Sequence, residues 1–243
     1  MAVGVHNKII NQTAKEILSP HGIFQKGKSR LWIDDNGWFL TIIEFQPSGW
    51  SKGSYLNVGL HFLWTETDYI TFGFSYKNNT RIFFNNGKQF IWYENDKQFV
   101  EESKALVQMA LDKALYYRQY KDLDYAKKQI LESVHRSACA WMSWNKLMIC
   151  LLSDDKNTEK YLTDFEAIID LLDESNVLWQ SYNEIIKIKG NLPKSPRDII
   201  LSIIIRQRDI LRGKEIKNLS ADTDINTVKA LLGYKNKTAL SFD

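Results

Sequence analysis

The hydrophobic pattern changes its period near residue 95, and this change constrains the fold more than any other feature of the sequence. From about residue 23 to residue 93, short runs of aromatic and β-branched residues alternate with turn signals, which is typical of strands. After residue 95, apolar residues recur every three or four positions, which is typical of helices. A block of strands followed by a block of helices predicts an α+β protein.

The connections within the strand block predict an antiparallel meander sheet of five or six strands. The expected strands are 28–34, 38–46, 54–64, 70–76, 80–84 and 88–93. Asn36-Gly37 and Asn86-Gly87 predict hairpin turns between the first two and the last two of these, because both central residues of a type I′ turn need a positive φ. A loop at 47–53 and a turn at 77–79 supply the other short connections, and none is long enough for a crossover helix.

Helical spacing before and after the strands predicts an N-terminal helix and an all-helical C-terminal half. The helix at 5–18 precedes Pro20 and Gly22, which end its pattern. The expected later helices are 96–119, 123–135, 138–152, 158–173, 176–188, 196–212 and 224–232. The sheet is expected to pack against the helices at 5–18 and 96–119. This predicts an α+β sheet domain at 1–120 and a helical domain at 121–243.

Composition predicts a cytoplasmic protein with reduced thiols. The chain is 44% apolar and 25% charged, and none of its apolar runs approaches the ~18 residues that cross a bilayer. Its start has no apolar stretch of signal-peptide length. Cys139 and Cys150 lie eleven positions apart in one helical pattern, or roughly 16 Å, which is too far for a disulfide. Both are expected to be buried thiols, and no membrane association is expected.

Charge is distributed unevenly along the chain. Residues 95–184 carry 11 basic and 16 acidic side chains, whereas residues 185–243 carry 12 basic and 6 acidic ones. The basic end of the chain would either neutralise the acidic segment within the fold or meet an acidic partner or a nucleic acid. The first interpretation is favoured, because the basic residues are scattered along helices. A nucleic-acid partner bound through 185–243 stays open as an alternative.

The stretch "IIEFQPSGWSKGSYLNVG" (42–59) is the most unusual segment of the strand block. Both faces of the strand at 38–46 are apolar, so it should be a central strand that is covered on both sides. Glu44 lies on one of these faces, where an unpaired carboxylate is costly. We expect it to reach water or Lys52, or to accept hydrogen bonds from the backbone of the 47–53 loop.

Residues 22–64, "GIFQKGKSRLWIDDNGWFLTIIEFQPSGWSKGSYLNVGLHFLW", resemble the core block of an uncharacterised bacterial family that is classed only as a domain of unknown function. Its members similarly have an opening helix, a "GIF"-like element, a strand that ends in "EFQ" and a "PSxWSKGSYLNVG" element. The resemblance covers about residues 5–120, and it implies an α+β domain with no assigned reaction. The matching positions are candidates for a recognition site: Glu44, Gln46, Ser48, Trp50, Ser51, Lys52, Gly53, Tyr55 and Asn57.

Two interpretations of the 47–53 loop are open. In the first, a rigid loop presents Trp50, Lys52 and Tyr55 to a ligand or partner, since Trp and Tyr offer a large contact area at low entropic cost. In the second, Trp50 folds back over the sheet and covers the core, while Ser48 and Ser51 bond to the loop backbone.

One catalytic hypothesis uses the same region. Asp34 and Asp35, followed by Glu44, resemble the carboxylates with which a large nuclease superfamily binds Mg²⁺, with Lys52 or Lys28 in place of its lysine. However, nine residues of extended chain separate Asp35 from Glu44, or about 30 Å, which is too far for a shared metal. The alternative is a charged hairpin tip at 34–37.

His61, which was expected to lie near Glu44, is the one acid–base candidate among the four histidines. The sequence shows no nucleotide-binding glycine motif, no zinc motif and no nucleophile elbow, so no cofactor or metal is expected. The sequence therefore favours a non-catalytic bacterial binding protein, an immunity, defence or complex-assembly component that recognises a protein partner. The alternative is a metal-dependent nuclease, or another enzyme acting on nucleic acid, that uses Glu44.

Overall fold

The computed structural model describes residues 4–74, 80–84, 87–133, 140–169, 171–189, 196–214 and 216–219. The strands are β1 (Phe24–Gln25), β2 (Leu31–Asp35), β3 (Phe39–Gln46), β4 (Gly53–Phe62) and β5 (Phe90–Trp92). The helices are α1 (Val5–Leu18), α2 (Asp96–Tyr117), α3 (Leu123–Glu132), α4 (Ala140–Leu152), α5 (Thr158–Ile169), α6 (Val177–Lys189) and α7 (Pro196–Lys214). The predicted turn at 77–79, Asn86, Cys139 and the predicted helix at 224–232 lie outside the described residues.

The five strands form one antiparallel sheet in the order β1-β2-β3-β4-β5, so the predicted α+β fold with a meander sheet is confirmed. The Asn36-Gly37 hairpin and the 47–53 loop connect the strands that the sequence predicted. The N-terminal helix has the predicted bounds, and α2 to α7 lie within a few residues of theirs.

The pairing of residues 74–92 differs from the prediction. Phe74 lies opposite Leu60, Arg81 lies opposite Asn57, and Ile91 in β5 lies opposite Ser54, all in antiparallel pairings. These segments therefore follow one another along a single edge of β4. The predicted side-by-side hairpin of 80–84 with 88–93 is wrong, although a backbone hydrogen bond from Phe84 to Lys88 does close a turn there. The long edge of β4 therefore determines the pairing partner of these segments.

Helices cover both faces of the sheet, as the apolar pattern of 38–46 predicted. Phe39 belongs to one face and contacts the Tyr120 ring, which follows α2. The other face is covered from the helical half, where Arg208 on α7 binds Asp35 in β2. After β4, Trp64 Nε1 donates to Asn145 Oδ1 on α4 over 3.0 Å. Residues from both halves belong to one hydrophobic cluster, and the predicted domain boundary at residue 120 stays a prediction. Cys150 is buried in this cluster, and burial raises the pKa of its thiol to about 11.

Asp34 and Asp35 point to opposite faces of the sheet, and each binds an arginine from a helical segment. Arg118, just after α2, donates to both oxygens of Asp34 over 2.9 Å. Arg208 on α7 donates to the two oxygens of Asp35 over 2.7 and 2.6 Å, and also to the Gly37 carbonyl. The structure contains the charged hairpin tip that the sequence predicted at 34–37, and helical residues cover it, since Asp34 is 3% exposed.

Within the described part of the chain, no helix has both the length and the apolar character to cross a membrane.

Replacing Arg208 should be strongly destabilising. Its side chain is 2% exposed, so Arg208→Ala would leave the partly buried Asp35 carboxylate without its arginine partner. We expect a loss of about 3–5 kcal/mol in the free energy of unfolding, measured by urea denaturation. Lys104→Ala is the control, because it removes an exposed ion pair with Glu101 and should cost less than about 1 kcal/mol. Equal losses in the two variants would contradict the role assigned to Arg208.

Candidate functional site

The candidate residues meet at one end of the sheet, where β3 ends, β4 begins and β5 ends. Gln46 lies opposite Tyr55, so the 47–53 loop leaves and re-enters the sheet on neighbouring strands. Gly53 lies opposite Trp92, and the Tyr93 backbone N–H donates to the Lys52 carbonyl over 3.0 Å. Both ends of the loop are therefore held by backbone pairing with a neighbouring strand.

Gly53 is required where the loop enters β4. Its φ is +149°, and a Cβ at this position would lie 2.1 Å from the Ile91 carbonyl oxygen. Only glycine allows β5 to approach the loop this closely.

Trp50 is 98% exposed, so the interpretation in which it folds back over the core is wrong. Its backbone N–H donates to Ser48 Oγ over 3.1 Å, which bends the loop between the two residues. Lys52 is also exposed, and Trp92, opposite the end of the loop, is 54% exposed. The apolar surface offered here therefore comes from Trp50 in the loop and Trp92 at the end of β5.

A polar network lies beside this loop, on the face of the sheet that carries Glu44 and Tyr55. Asn57 Nδ2 donates to Glu44 Oε2 over 2.8 Å and to Gln46 Oε1 over 2.9 Å. Arg81 donates to the same Gln46 oxygen over 2.6 Å, and its guanidinium lies 3.9 Å from the Tyr55 ring centre. Glu44 thus bonds to a side-chain amide, and not to Lys52 or to the loop backbone as expected.

Arg81 was absent from the sequence-based candidates, although it contacts two of them. Only the pairing of Arg81 with Asn57 brings it to this face of the sheet. Recognising that 80–82 pairs with β4 would have identified it.

Positive charge surrounds the base of the loop. All three Arg30 guanidinium nitrogens are buried without a hydrogen-bond partner among the described residues. Burial lowers the pKa of Arg30 to about 10, and nearby Glu44 opposes this shift. The pKa of His6 is lowered by burial, then by the charges of Arg30 and Lys52, so all three residues share one electrostatic environment. This grouping could not be predicted from the sequence, because His6 belongs to α1 and Arg30 directly precedes β2.

The structure does not bring the proposed catalytic groups together. His61 is four residues from Asn57 along β4, so it lies roughly 13 Å from the position opposite Glu44. Asp35 lies opposite Leu40, so its distance from Glu44 is also about 13 Å, shorter than the 30 Å counted along the chain but still too long for a shared metal. Among the described residues, no group of three or more His, Cys, Asp or Glu side chains is placed to hold a metal ion.

Comparison with known proteins found no matching family model, curated sequence or solved structure. The resemblance of residues 22–64 to a bacterial family therefore stays a prediction, and the site is interpreted from its own geometry.

His61 should make the fold sensitive to acid. It is 4% exposed, its Nδ1 accepts a hydrogen bond from the Thr71 backbone, and burial lowers its pKa to about 4. Because the unfolded chain binds this proton near pH 6.5 and the folded chain does not, stability is full above pH 6.5 and is lost as the pH falls toward 4. The loss should be about 3 kcal/mol relative to His61→Asn, measured by urea unfolding across this range. An NMR titration that places the folded-state pKa of His61 near 6.5 would contradict the assignment.

Proposed function

We propose that the protein is a non-catalytic binding protein that recognises a protein partner through the 47–55 segment. The full exposure of Trp50 carries this proposal. The sequence further predicts a bacterial cytoplasmic setting, in an immunity, defence or complex-assembly system, and the proposal extends to that setting.

Exposure of Trp50 is informative because the loop around it is well anchored. A tryptophan offers one of the largest apolar surfaces of any side chain, and leaving it in water gives up the stabilisation that burial would supply. Ser48, Gly53 and the Lys52–Tyr93 hydrogen bond hold the loop backbone in the outward conformation. A rigid aromatic anchor loses little conformational entropy when a partner covers it.

The charges near the loop define the partner's surface. Lys52 is exposed beside Trp50, and Arg30 lies in the same electrostatic environment. The partner should therefore offer an apolar pocket for the Trp50 indole, with carboxylates at its rim. Rim charges of this kind chiefly accelerate association, and they make the association rate depend on salt.

The polar network supports binding over catalysis. The Asn57 amide is shared between Glu44 and Gln46, and Arg81 bonds to Gln46 and stacks on Tyr55. These bonds order the face of the sheet behind the loop. The nuclease alternative needs carboxylates that converge on a metal, whereas Asp34 and Asp35 bind Arg118 and Arg208.

Trp50→Ala should weaken partner binding and leave the fold intact. We expect the dissociation constant to rise at least about thirtyfold, as for a hot-spot residue, in titrations with a partner captured from the native host. The free energy of unfolding should change by less than about 0.5 kcal/mol, because Trp50 packs on almost nothing.

Leu171→Ala is the matched control, since Leu171 is 82% exposed and belongs to the helical half. It should bind the partner like the wild type. If Trp50→Ala captures the same partners with unchanged affinity, the 47–55 segment is not the recognition surface.

A further inference from the structure

A basic groove lies between the β1–β2 turn and the segment that follows α7, at the edge of the sheet opposite β5. Its main cavity has a volume of about 650 Å³ and continues into a second cavity of about 380 Å³, with which it shares Lys26 and Ile216. We call these two joined cavities the lysine groove. β1 and β5 are four strand spacings apart, roughly 19 Å, so the groove is separate from the Trp92 side of the sheet.

Four lysines belong to the described lining of the lysine groove. Lys26 and Lys28 line it from the β1–β2 turn, and Lys214 and Lys217 line it from the end of α7 and beyond. Among the described residues of the two linings, Asp68 is the one acidic side chain. It pairs with Lys214 over 3.6 Å, but both side chains are more than 60% exposed, so this pair neutralises little of the field.

Both rims of the groove are held by hydrogen bonds. On one side, Lys26 N–H donates to the Leu31 carbonyl, and its own carbonyl accepts from the Ser29 backbone and hydroxyl. On the other side, Leu219 N–H donates to the Ile216 carbonyl, and Arg212 Nε donates to the Leu219 carbonyl. The lysines therefore project from the β1–β2 turn, from the end of α7 and from the turn at 216–219, and these hydrogen bonds reduce the entropic cost of ordering them around a ligand.

Apolar and aromatic side chains line the groove beside the lysines. Phe24 and Ile216 contribute to the main cavity, and Tyr69 and Ile70 to the second. Tyr69 is 53% exposed, so its ring is available for stacking. Lysines that meet phosphates, next to an aromatic ring that meets a base, are the pairing by which proteins hold nucleotides without reading their sequence.

We propose that the lysine groove binds a nucleotide unit, either free or within a single strand, with its phosphate on the lysines and its base against Tyr69. This inference is independent of the proposed protein-binding function. The lysines on the two rims complement a phosphate, and the adjoining apolar wall gives the base a surface that a simple anion would not use.

The test measures binding of fluorescein-labelled dT12 by anisotropy and binding of N-methylanthraniloyl-ADP by fluorescence, with the full chain. The test variant is Lys28→Ala/Lys217→Ala. The control is Lys97→Ala/Lys128→Ala, which removes two exposed lysines elsewhere and has the same net charge. The test variant should bind at least tenfold more weakly than the control, and the salt dependence of log K for dT12 should become shallower by about 1.4.

Tyr69→Ala should also weaken binding, by about tenfold, through loss of stacking. Binding of dT12 alone would assign the groove to a strand, and binding of the nucleotide alone to a free ligand; either supports the proposal. The proposal would be overturned if neither probe bound, or if the two double variants lost affinity equally. It would also be overturned if a twelve-residue polyglutamate competed as strongly as unlabelled dT12. Trp50→Ala should bind both probes normally, so failure here and failure of the protein-binding proposal are distinguishable.

Discussion

The antiparallel pairing of β3 with β4 is the interaction on which the rest of the structure depends. Its register runs from Phe39 opposite Phe62 to Gln46 opposite Tyr55. This register places Glu44 beside Asn57 and fixes the two points between which the 47–53 loop must cross. A shift of one residue would turn every side chain to the other face and would separate the polar network from the loop. The register of β3 with β4 therefore determines which residues meet at the candidate site.

Side chains of neighbouring residues in a strand point to opposite faces of the sheet, and this alternation explains how one hairpin binds two helical segments. Asp34 and Asp35 are neighbours in β2, so they project to opposite faces, where Arg118 and Arg208 meet them. Pairs of this kind are tolerated in a core because each charge has several hydrogen bonds to its partner. Trp64 and Trp144 add bonds to Asn145 and Thr65, so the sheet and the helical half share polar contacts as well as apolar ones.

Features that depend on local pattern could be predicted from the sequence. The bounds of α1, the position of the β2–β3 turn at Asn36-Gly37 and the burial of β3 follow from periodicity and turn chemistry. Features that depend on residues distant in the chain could not be predicted from the sequence. Arg208 is 173 residues from Asp35, and Arg81 reaches Gln46 only because its segment returns to the edge of β4. The outward direction of Trp50 also could not be predicted from the sequence, because both orientations of its side chain are compatible with the same loop residues.

The structure presents two surfaces of different chemistry. Near the 47–53 loop, exposed tryptophans stand beside a few positive charges, which suits a protein surface with an apolar pocket. At the β1 edge, lysines and an exposed tyrosine line a groove, which suits a nucleotide. Neither surface includes Asp34, Asp35 or His61, which sequence reasoning considered for catalysis. Asp34 and His61 are buried, and Asp34 and Asp35 are paired with Arg118 and Arg208.

The outward position of Trp50 is the central claim, and ¹⁹F NMR of protein labelled with 5-fluorotryptophan tests it most directly. The Trp50 resonance is assigned from its absence in Trp50→Phe, and its chemical shift is compared in H₂O and D₂O. The structure predicts that Trp50 shows the largest solvent isotope shift among the tryptophans, while the buried Trp32, Trp38, Trp64 and Trp144 show almost none. A Trp50 shift as small as that of Trp32 would contradict the account.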